Sequence, residues 1–316
     1  MFHYDRGLKL TRADLAVDFR RRQPRGFISH AHQDHMARHE LALCTPQTAR
    51  LYHARMGRRP VVEMPYRQTL DWGGLRLTTY PAGHCLGSAM LLADDGEQTL
   101  LYTGDFKLAE SATAERAELP SADILVIEST YGTPENRHIP RDEAVGQLID
   151  LVRGVLARGM TPVVQAYTLG KSQEVTALLT AAGIGVLQHR DIHEISLVYV
   201  ACGVDLGEFE LYRGKPRDGY AVIVPPRRHS PADLGRIPAP VTFAVTGWAT
   251  NSARRLGVDH AIPLSDHADY DDLLSAVARV APRVVYCTHG PESFVDCLRD
   301  EGFCAFPLDG SYLPLR

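Results

Sequence analysis

His30-Ala31-His32-Gln33-Asp34-His35 puts four residues able to bind a metal within six positions. The stretch directly follows Gly26-Phe27-Ile28-Ser29, which reads as a short strand. On a loop leaving a strand, alternate side chains can point at one site, so His30 and His32 converge. The adjacent Asp34 and His35 then reach a neighbouring site. Neutral imidazole and carboxylate suit zinc, and a catalytic zinc keeps one position open for water. The competing reading is a run of surface histidines. It leaves unexplained why polar residues recur at the ends of other strands.

Those recurrences come in order along the chain. Pro81-Ala82-Gly83-His84 follows a predicted strand at 75–80, Gly104-Asp105 follows one at 99–103, and Thr288-His289-Gly290 follows Arg283-Val284-Val285-Tyr286-Cys287. In each, a polar side chain stands beside glycine, where the backbone can come close to a metal. Ile127-Glu128-Ser129-Thr130-Tyr131-Gly132 ends another predicted strand in a carboxylate. Leu264-Ser265-Asp266-His267-Ala268-Asp269 sets a histidine just before a helix. Tyr167-Thr168-Leu169-Gly170-Lys171-Ser172-Gln173-Glu174 is a glycine-lysine turn opening a helix. Any one of these alone is more often a cap or a turn; their coincidence points to a site.

Around the motifs, strands alternate with helices. Residues 15–19 and 124–128 read as strands, and Val145, Leu148, Ile149, Val152 and Val155 give helical spacing over 141–158. A strand at 161–167 leads to a helix at about 172–182. Residues 183–240, rich in Gly, Pro and Arg, read as less regular, and a strand–helix–strand–helix set runs from Val241 onward. Such alternation indicates an α/β architecture. The 45% hydrophobic and 23% charged content is that of an ordinary globular protein, and no apolar run is long enough to span a bilayer. Met1-Phe2-His3-Tyr4-Asp5-Arg6 lacks a signal-peptide profile. Six cysteines without a C-x-x-C pair speak against a disulfide framework or a thiolate zinc site, and for the cytoplasm. With a net charge of −4, nucleic-acid binding must use local basic patches. Candidates are Arg20-Arg21-Arg22, Arg58-Arg59, Arg254-Arg255 and, first, Arg227-Arg228. Trp248 is expected to be buried rather than stacked on a base.

Together these segments resemble the metallo-β-lactamase superfamily over nearly the whole chain. The resemblance implies an α/β fold, the αββα metallo-β-lactamase sandwich, with a small inserted α/β cap of the β-CASP kind. Residues 1–150 and 246–316 would form the sandwich and 151–245 the cap over the metals. The resemblance also implies two Zn2+ ions, with Mn2+ as the alternative. His30, His32 and His84 would bind the first ion, Asp34, His35 and His289 the second, and Asp105 would bridge them. Asp18 would orient the histidine loop from outside the ligand set. The Glu128, His267 and glycine-lysine segments resemble those of the β-CASP nucleases. By that resemblance His267 is the leaving-group acid, Glu128 orients it, and the catalytic set is Asp34, Asp105, Glu128 and His267.

Closer still, the size and motifs resemble the ligase-associated DNA exonucleases. That implies a DNA substrate, a role in repair, a DNA ligase and a helicase as functional partners, and no membrane. Thr168, Gly170, Lys171 and Ser172 resemble a terminal-phosphate pocket, which implies release of single nucleotides from 5′ ends. Two departures matter. The cap is shorter than in eukaryotic β-CASP proteins, and His289 is typical of RNA-processing members. An endo- or exoribonuclease is therefore the alternative. A small-ester or thioester hydrolase would leave Glu128, Lys171 and His267 without roles. An inactive scaffold subunit of a nucleic-acid processing complex would not need an intact ligand set.

Overall fold

The computed structural model describes residues 1–226, 237–251 and 253–309. They form two compact units, one of Met1–Glu110, Ala114–Arg137 and the chain from His267 onward, the other of Ser111–Thr113 and His138–Asp266.

The first unit opens with a six-stranded sheet: β1 (Phe2–Tyr4), β2 (Leu8–Leu10), β3 (Leu15–Val17), β4 (Arg25–Phe27), β5 (Leu41–Cys44) and β6 (Val61–Glu63), side by side in that order. β1 to β3 pair antiparallel and β3 to β6 parallel. The crossover between β5 and β6 is α1 (Pro46–Met56). Pro46 opens it and the Thr45 hydroxyl accepts the Thr48 N–H. A second sheet begins as an antiparallel meander of β7 (Thr69–Trp72), β8 (Leu75–Pro81), β9 (Ala89–Asp94) and β10 (Thr99–Tyr102). β11 (Ile124–Glu128) continues it in parallel.

The chain then builds the second unit from α2 (Arg141–Ala157), β12 (Thr161–Gln165), α3 (Lys171–Ala181), β13 (Gly185–Gln188), α4 (Arg190–Ala201), β14 (Phe209–Leu211), β15 (Tyr220–Val224), β16 (Pro240–Val245), α5 (Ala253–Leu256) and β17 (His260–Ile262). Its strands lie in the order β14-β13-β15-β12-β16-β17, and every pairing is parallel. Returning to the first unit, α6 (Tyr270–Val280), β18 (Val284–Thr288), α7 (Glu292–Asp300) and β19 (Ala305–Pro307) complete the second sheet. There β18 joins β11 in parallel and β19 lies outside it.

Strand periodicity explains the layering. Within β11, Ile124 and Val126 face the core between the two sheets, with Leu8, Leu15, Phe27 and Leu43 opposite. Leu125 and Ile127 face the other way, onto Leu273, Val277 and Val280 of α6 and Phe294 and Leu298 of α7. Both faces of β11 are thus covered, and all five residues are apolar except Glu128 at its C-terminal end. α1 covers the first sheet's side with buried Ala49, Leu51 and Tyr52. The order helix, sheet, sheet, helix is the expected α/β sandwich.

Residues 183–240 depart from the sequence reading, since they hold β13, α4, β14 and β15. Gly203, Gly207, Gly214 and Gly219 lie in the connections between α4 and β15, and most of the prolines come after β15, while Ile192, Ile195, Ser196 and Tyr199 form the buried stripe of α4. α2 spans the boundary placed at residue 150, but lies whole in the second unit and buries Ala144, Leu148, Val152 and Val155 in that unit's core. β17 extends the same unit past residue 245.

Candidate metal centre

All the candidate ligands leave C-terminal ends of strands in the first unit. His30, His32, Asp34 and His35 follow β4, His84 follows β8, Asp105 follows β10 and His289 follows β18. His30 Nε2 and His84 Nε2 each stand 3.0 Å from His32 Nδ1. Asp105 Oδ2 lies 3.5 Å from His30 Nε2 and 3.9 Å from His84 Nε2. On its other side Asp105 Oδ2 is 3.2 Å from His35 Nε2, and Oδ1 is 4.0 Å from His289 Nδ1. Ligand atoms of His30, His32, His84 and Asp105 all fall within 4.8 Å of one another, and so do those of His35, Asp105 and His289.

This donor set fits two zinc ions sharing a carboxylate. Tetrahedral zinc with bonds of about 2.0–2.1 Å gives ligand–ligand edges of about 3.3 Å, close to the spacings seen. His32 Nδ1 faces two imidazole nitrogens, and one proton cannot serve both; a cation at the shared point serves all three. Burial keeps His30 well below the usual histidine range, helped by its neighbours His35, His84 and His32. A neutral imidazole is the form that binds metal. Burial opposes charge on Asp105 too, but His35 and His267 outweigh it and hold the carboxyl well below its ordinary range. Asp105 is therefore a carboxylate, as a bridging ligand must be.

The residues around the ligands fix their aim. Asp18, at positive φ of 52°, accepts from Ser29 N at 2.7 Å, Tyr102 Oη at 2.9 Å and Ser29 Oγ, and its Oδ2 is 2.8 Å from His35 Nδ1. Burial works against protonated His35, but Asp105 and Asp18 raise it well above the usual range. Burial and Asp18 likewise keep the Tyr102 hydroxyl protonated and hence a donor. Gly104, at φ 55°, passes so close to Ser29 that a Cβ there would meet its Cβ at 2.8 Å. Tyr102 and Ser29 were not singled out from the sequence. Their signal was position alone: Tyr102 ends β10 three residues before Asp105, and Ser29 immediately precedes His30.

Asp34 stands apart from the other ligands. Its side chain is 55% exposed, its Oδ2 is 3.9 Å from His35 Nε2, and Arg20 binds its backbone oxygen at 3.1 Å. It is in neither ligand group.

Glu128, buried at the end of β11, faces His267. His267 Nδ1 is 2.9 Å and 3.0 Å from the two carboxylate oxygens. Glu128 is held in turn by Phe106 N at 2.8 Å and by the Thr130 hydroxyl. The His267 ring lies 4.6 Å from that of His84, and Asp105, Glu128 and His267 bring ligand atoms within 4.8 Å of one another.

In the second unit, the loop after β12 is internally engaged. Lys171 is buried and its Nζ donates to Glu174 at 3.0 Å, which also receives Arg141 at 3.0 Å. Gly170 N donates to Gln173 Oε1 at 2.8 Å, Ser172 Oγ donates to Ala166 O at 3.2 Å, and Thr168 is half-buried. Arg227 and Arg228 lie outside the described residues. Trp248, expected to be buried, is 48% exposed because it sits on a one-turn connection past the end of β16, beyond the sheet that would cover it.

Residues 254–303 match the family of the Zn-dependent metallo-hydrolase RNA specificity domain. That stretch contains His267, α6, β18 and His289, the last of them one of the six residues in the two ligand groups. This match and the relatives below support a metallo-β-lactamase assignment of the β-CASP kind. The chain is 36% identical over 314 residues to a probable DNA ligase of Opitutus terrae, covering 96% of this chain. It is 35% identical over 138 residues to the endoribonuclease YSH1 of Yarrowia lipolytica, covering 43% of the chain. It is 34% identical over 140 residues, also 43% of the chain, to cleavage and polyadenylation specificity factor subunit 3-I of Arabidopsis thaliana. The chain spans only 31%, 16% and 19% of the lengths of these relatives. A solved structure of a protein of unknown function from Enterococcus faecalis shares the fold with a TM-score of 0.62 at 14% identity, over 85% of this chain and 76% of that one. No helix among the described residues is long and apolar enough to cross a membrane.

Proposed function

We propose that this chain is a two-zinc nuclease acting on DNA, removing single nucleotides from 5′ ends in repair. The observation that carries the nuclease reading is the His267–Glu128 pair beside the bridging Asp105. Zinc held by the two ligand groups, His30, His32, His84 and Asp105 and His35, Asp105 and His289, would supply a nucleophile near neutral pH and polarise a phosphoryl oxygen. Asp105 holds the negative charge that both ligand groups share. Glu128 accepts from Nδ1 of His267, so Nε2 is the atom that passes a proton to the departing oxygen as the P–O bond breaks. Glu128 then stabilises whichever ring form carries the charge. The esterase alternative gives this pair no task.

DNA is favoured by the relative called a probable DNA ligase, since nearly all of this chain aligns with part of that longer protein. A nuclease that trims ends and a ligase that joins them share one substrate, so a ligase is the proposed partner, with a helicase to open the duplex. None of the six cysteines is in a disulfide, in keeping with a cytoplasmic site of action. End recognition rests on the loop at Thr168–Ser172. Because Glu174 already neutralises Lys171, backbone groups and Thr168 would carry most of it. The second reading, an RNA-processing nuclease, is favoured by His289 in the second ligand group and by the RNA specificity domain.

The experiment offers the zinc-loaded protein labelled single- and double-stranded DNA and RNA, with and without chelator. DNA cleavage abolished by chelator is expected; preferential RNA cleavage would establish the second reading. Paired oligonucleotides with a 5′-phosphate or a 5′-hydroxyl test the end. Faster mononucleotide release from the phosphate is expected, and equal rates or cutting of circles would remove end recognition while leaving the nuclease reading intact.

A further inference from the structure

We infer that the C-terminal edge of the second unit's sheet is a binding platform for an unpaired nucleic-acid strand, with Tyr167 and Trp248 stacking on bases and Arg190 and Arg213 taking phosphates. This rests on the nuclease reading for the identity of the ligand, but not on the metal residues. All six strands are parallel, so their C-terminal ends share one edge. The chain leaves β12 for β13 on one side and leaves β16 for β17 on the other. β12 and β16 are neighbours, so the connections part between them. In open parallel sheets that parting is where ligands bind.

The two residues just beyond that parting are large, aromatic and exposed. Tyr167 follows β12 and is 53% exposed; Trp248 follows β16 and is 48% exposed. The register Gln165↔Ala244 brings Tyr167 level with Thr246, two residues before Trp248. Exposing two such rings at one place is costly for a fold that needs only to be stable, whereas base stacking uses both. Further along the edge, Arg190 follows β13 and Arg213 follows β14; both are exposed and neither has an ion-pair partner among the described residues. From β14 to β16 is four strand spacings, about 19 Å. At about 3.4 Å per stacked nucleotide, that accommodates roughly five nucleotides. Cationic groups at one end of this edge and aromatic groups at the other suit a flexible strand, whose bases are unpaired and whose phosphates are charged. The chain's overall charge of −4 makes a local device of this sort necessary.

The test uses the full chain in chelator, so nothing is cut. The chain has two tryptophans, Trp72 and Trp248, so Trp72→Phe leaves Trp248 as the sole emitter. Titration with the oligonucleotide (dT)12 should quench that emission saturably. Anisotropy of labelled (dT)12 with unmodified Trp72 gives a second reading: the Tyr167→Ala/Trp248→Ala pair should weaken binding at least tenfold. Arg190→Gln/Arg213→Gln should weaken it too and flatten its salt dependence. Unchanged affinity in the aromatic pair, or no change in Trp248 emission at saturation, overturns the platform. A matching r(U)12 arm shows whether the strand preferred is DNA or RNA. Zinc-loaded wild-type protein is assayed separately on bis(p-nitrophenyl) phosphate. Inactivity there strikes the metal reading, while loss of (dT)12 contacts strikes only the platform.

Discussion

At His267 a buried carboxylate decides which nitrogen holds a proton. The Glu128 carboxylate accepts, so Nδ1 of His267 donates, and on the proposed mechanism Nε2 is the atom left for the substrate. His267→Ala should lower the cleavage rate about 10²–10⁴-fold, while zinc content measured by emission spectrometry stays at the wild-type value. Loss of zinc would instead mark His267 as a ligand. Asp272 gives a pH effect of defined sign. Burial first, then Asp269 and Asp271, raise it to about 6, against relief from Lys107 and Arg279. Its charged form is thus disfavoured by folding. The penalty is absent below the ordinary carboxylate range, grows as pH rises toward about 6, and is complete above that. Asp272→Asn should raise the melting temperature at pH 8 and not at pH 4; a rise of equal size at both would sink the idea. The histidines, Asp105 and Glu128 were legible in the sequence because each sits at a strand end in a recurring motif. Tyr102 and Ser29 were not, because their roles depend on Asp18, far away in sequence.

Helix α6 links His267, the proposed acid, to the core. Asp269, two residues after His267, accepts the Asp272 N–H at 2.9 Å and starts the helix. Asp269→Ala should destabilise the protein by about 1 kcal/mol in urea unfolding, and an unchanged midpoint would show that another group caps the helix. The buried face of α6 (Leu273, Ala276, Val277, Val280) packs on β11, so the helix start is anchored from below. Elements with strong periodicity were readable in advance, β11 and α2 among them. α4 was not, because its inward stripe lies between glycine-rich connections that dominate the local composition. The exposure of Trp248 was equally hidden. A tryptophan's burial is set by what the sheet leaves uncovered, and composition does not report that.

On the scale of the molecule, the ligands are spread through most of the first unit's sequence and meet only when both sheets are formed. Zinc should therefore stabilise the unit as a whole, by about 2.7 kcal/mol when free zinc is a hundredfold above its dissociation constant. Hydrogen-exchange mass spectrometry should show chelation raising exchange at 28–36, 82–86, 103–107 and 288–290, and leaving β12 and β15 of the other unit unchanged. Uniform loosening of both units would count against a site confined to the first. Asp105→Ala should lose zinc from both positions, since its carboxylate is common to the two ligand groups. The αββα layering was legible from the motif order, but the extent of the second unit was not. A unit boundary is set by which core a helix packs into, and α2 chooses the second. The order of the candidate ligands along the chain also sets a clock during synthesis. His30, His32, His84 and Asp105 emerge from the ribosome first, but His267, the proposed acid, and His289 emerge only after the whole intervening unit has been made. On the proposed mechanism, a polypeptide still being translated lacks its proton donor and part of its second metal site, and the nascent chain stays harmless to the nucleic acid around it until both have been made.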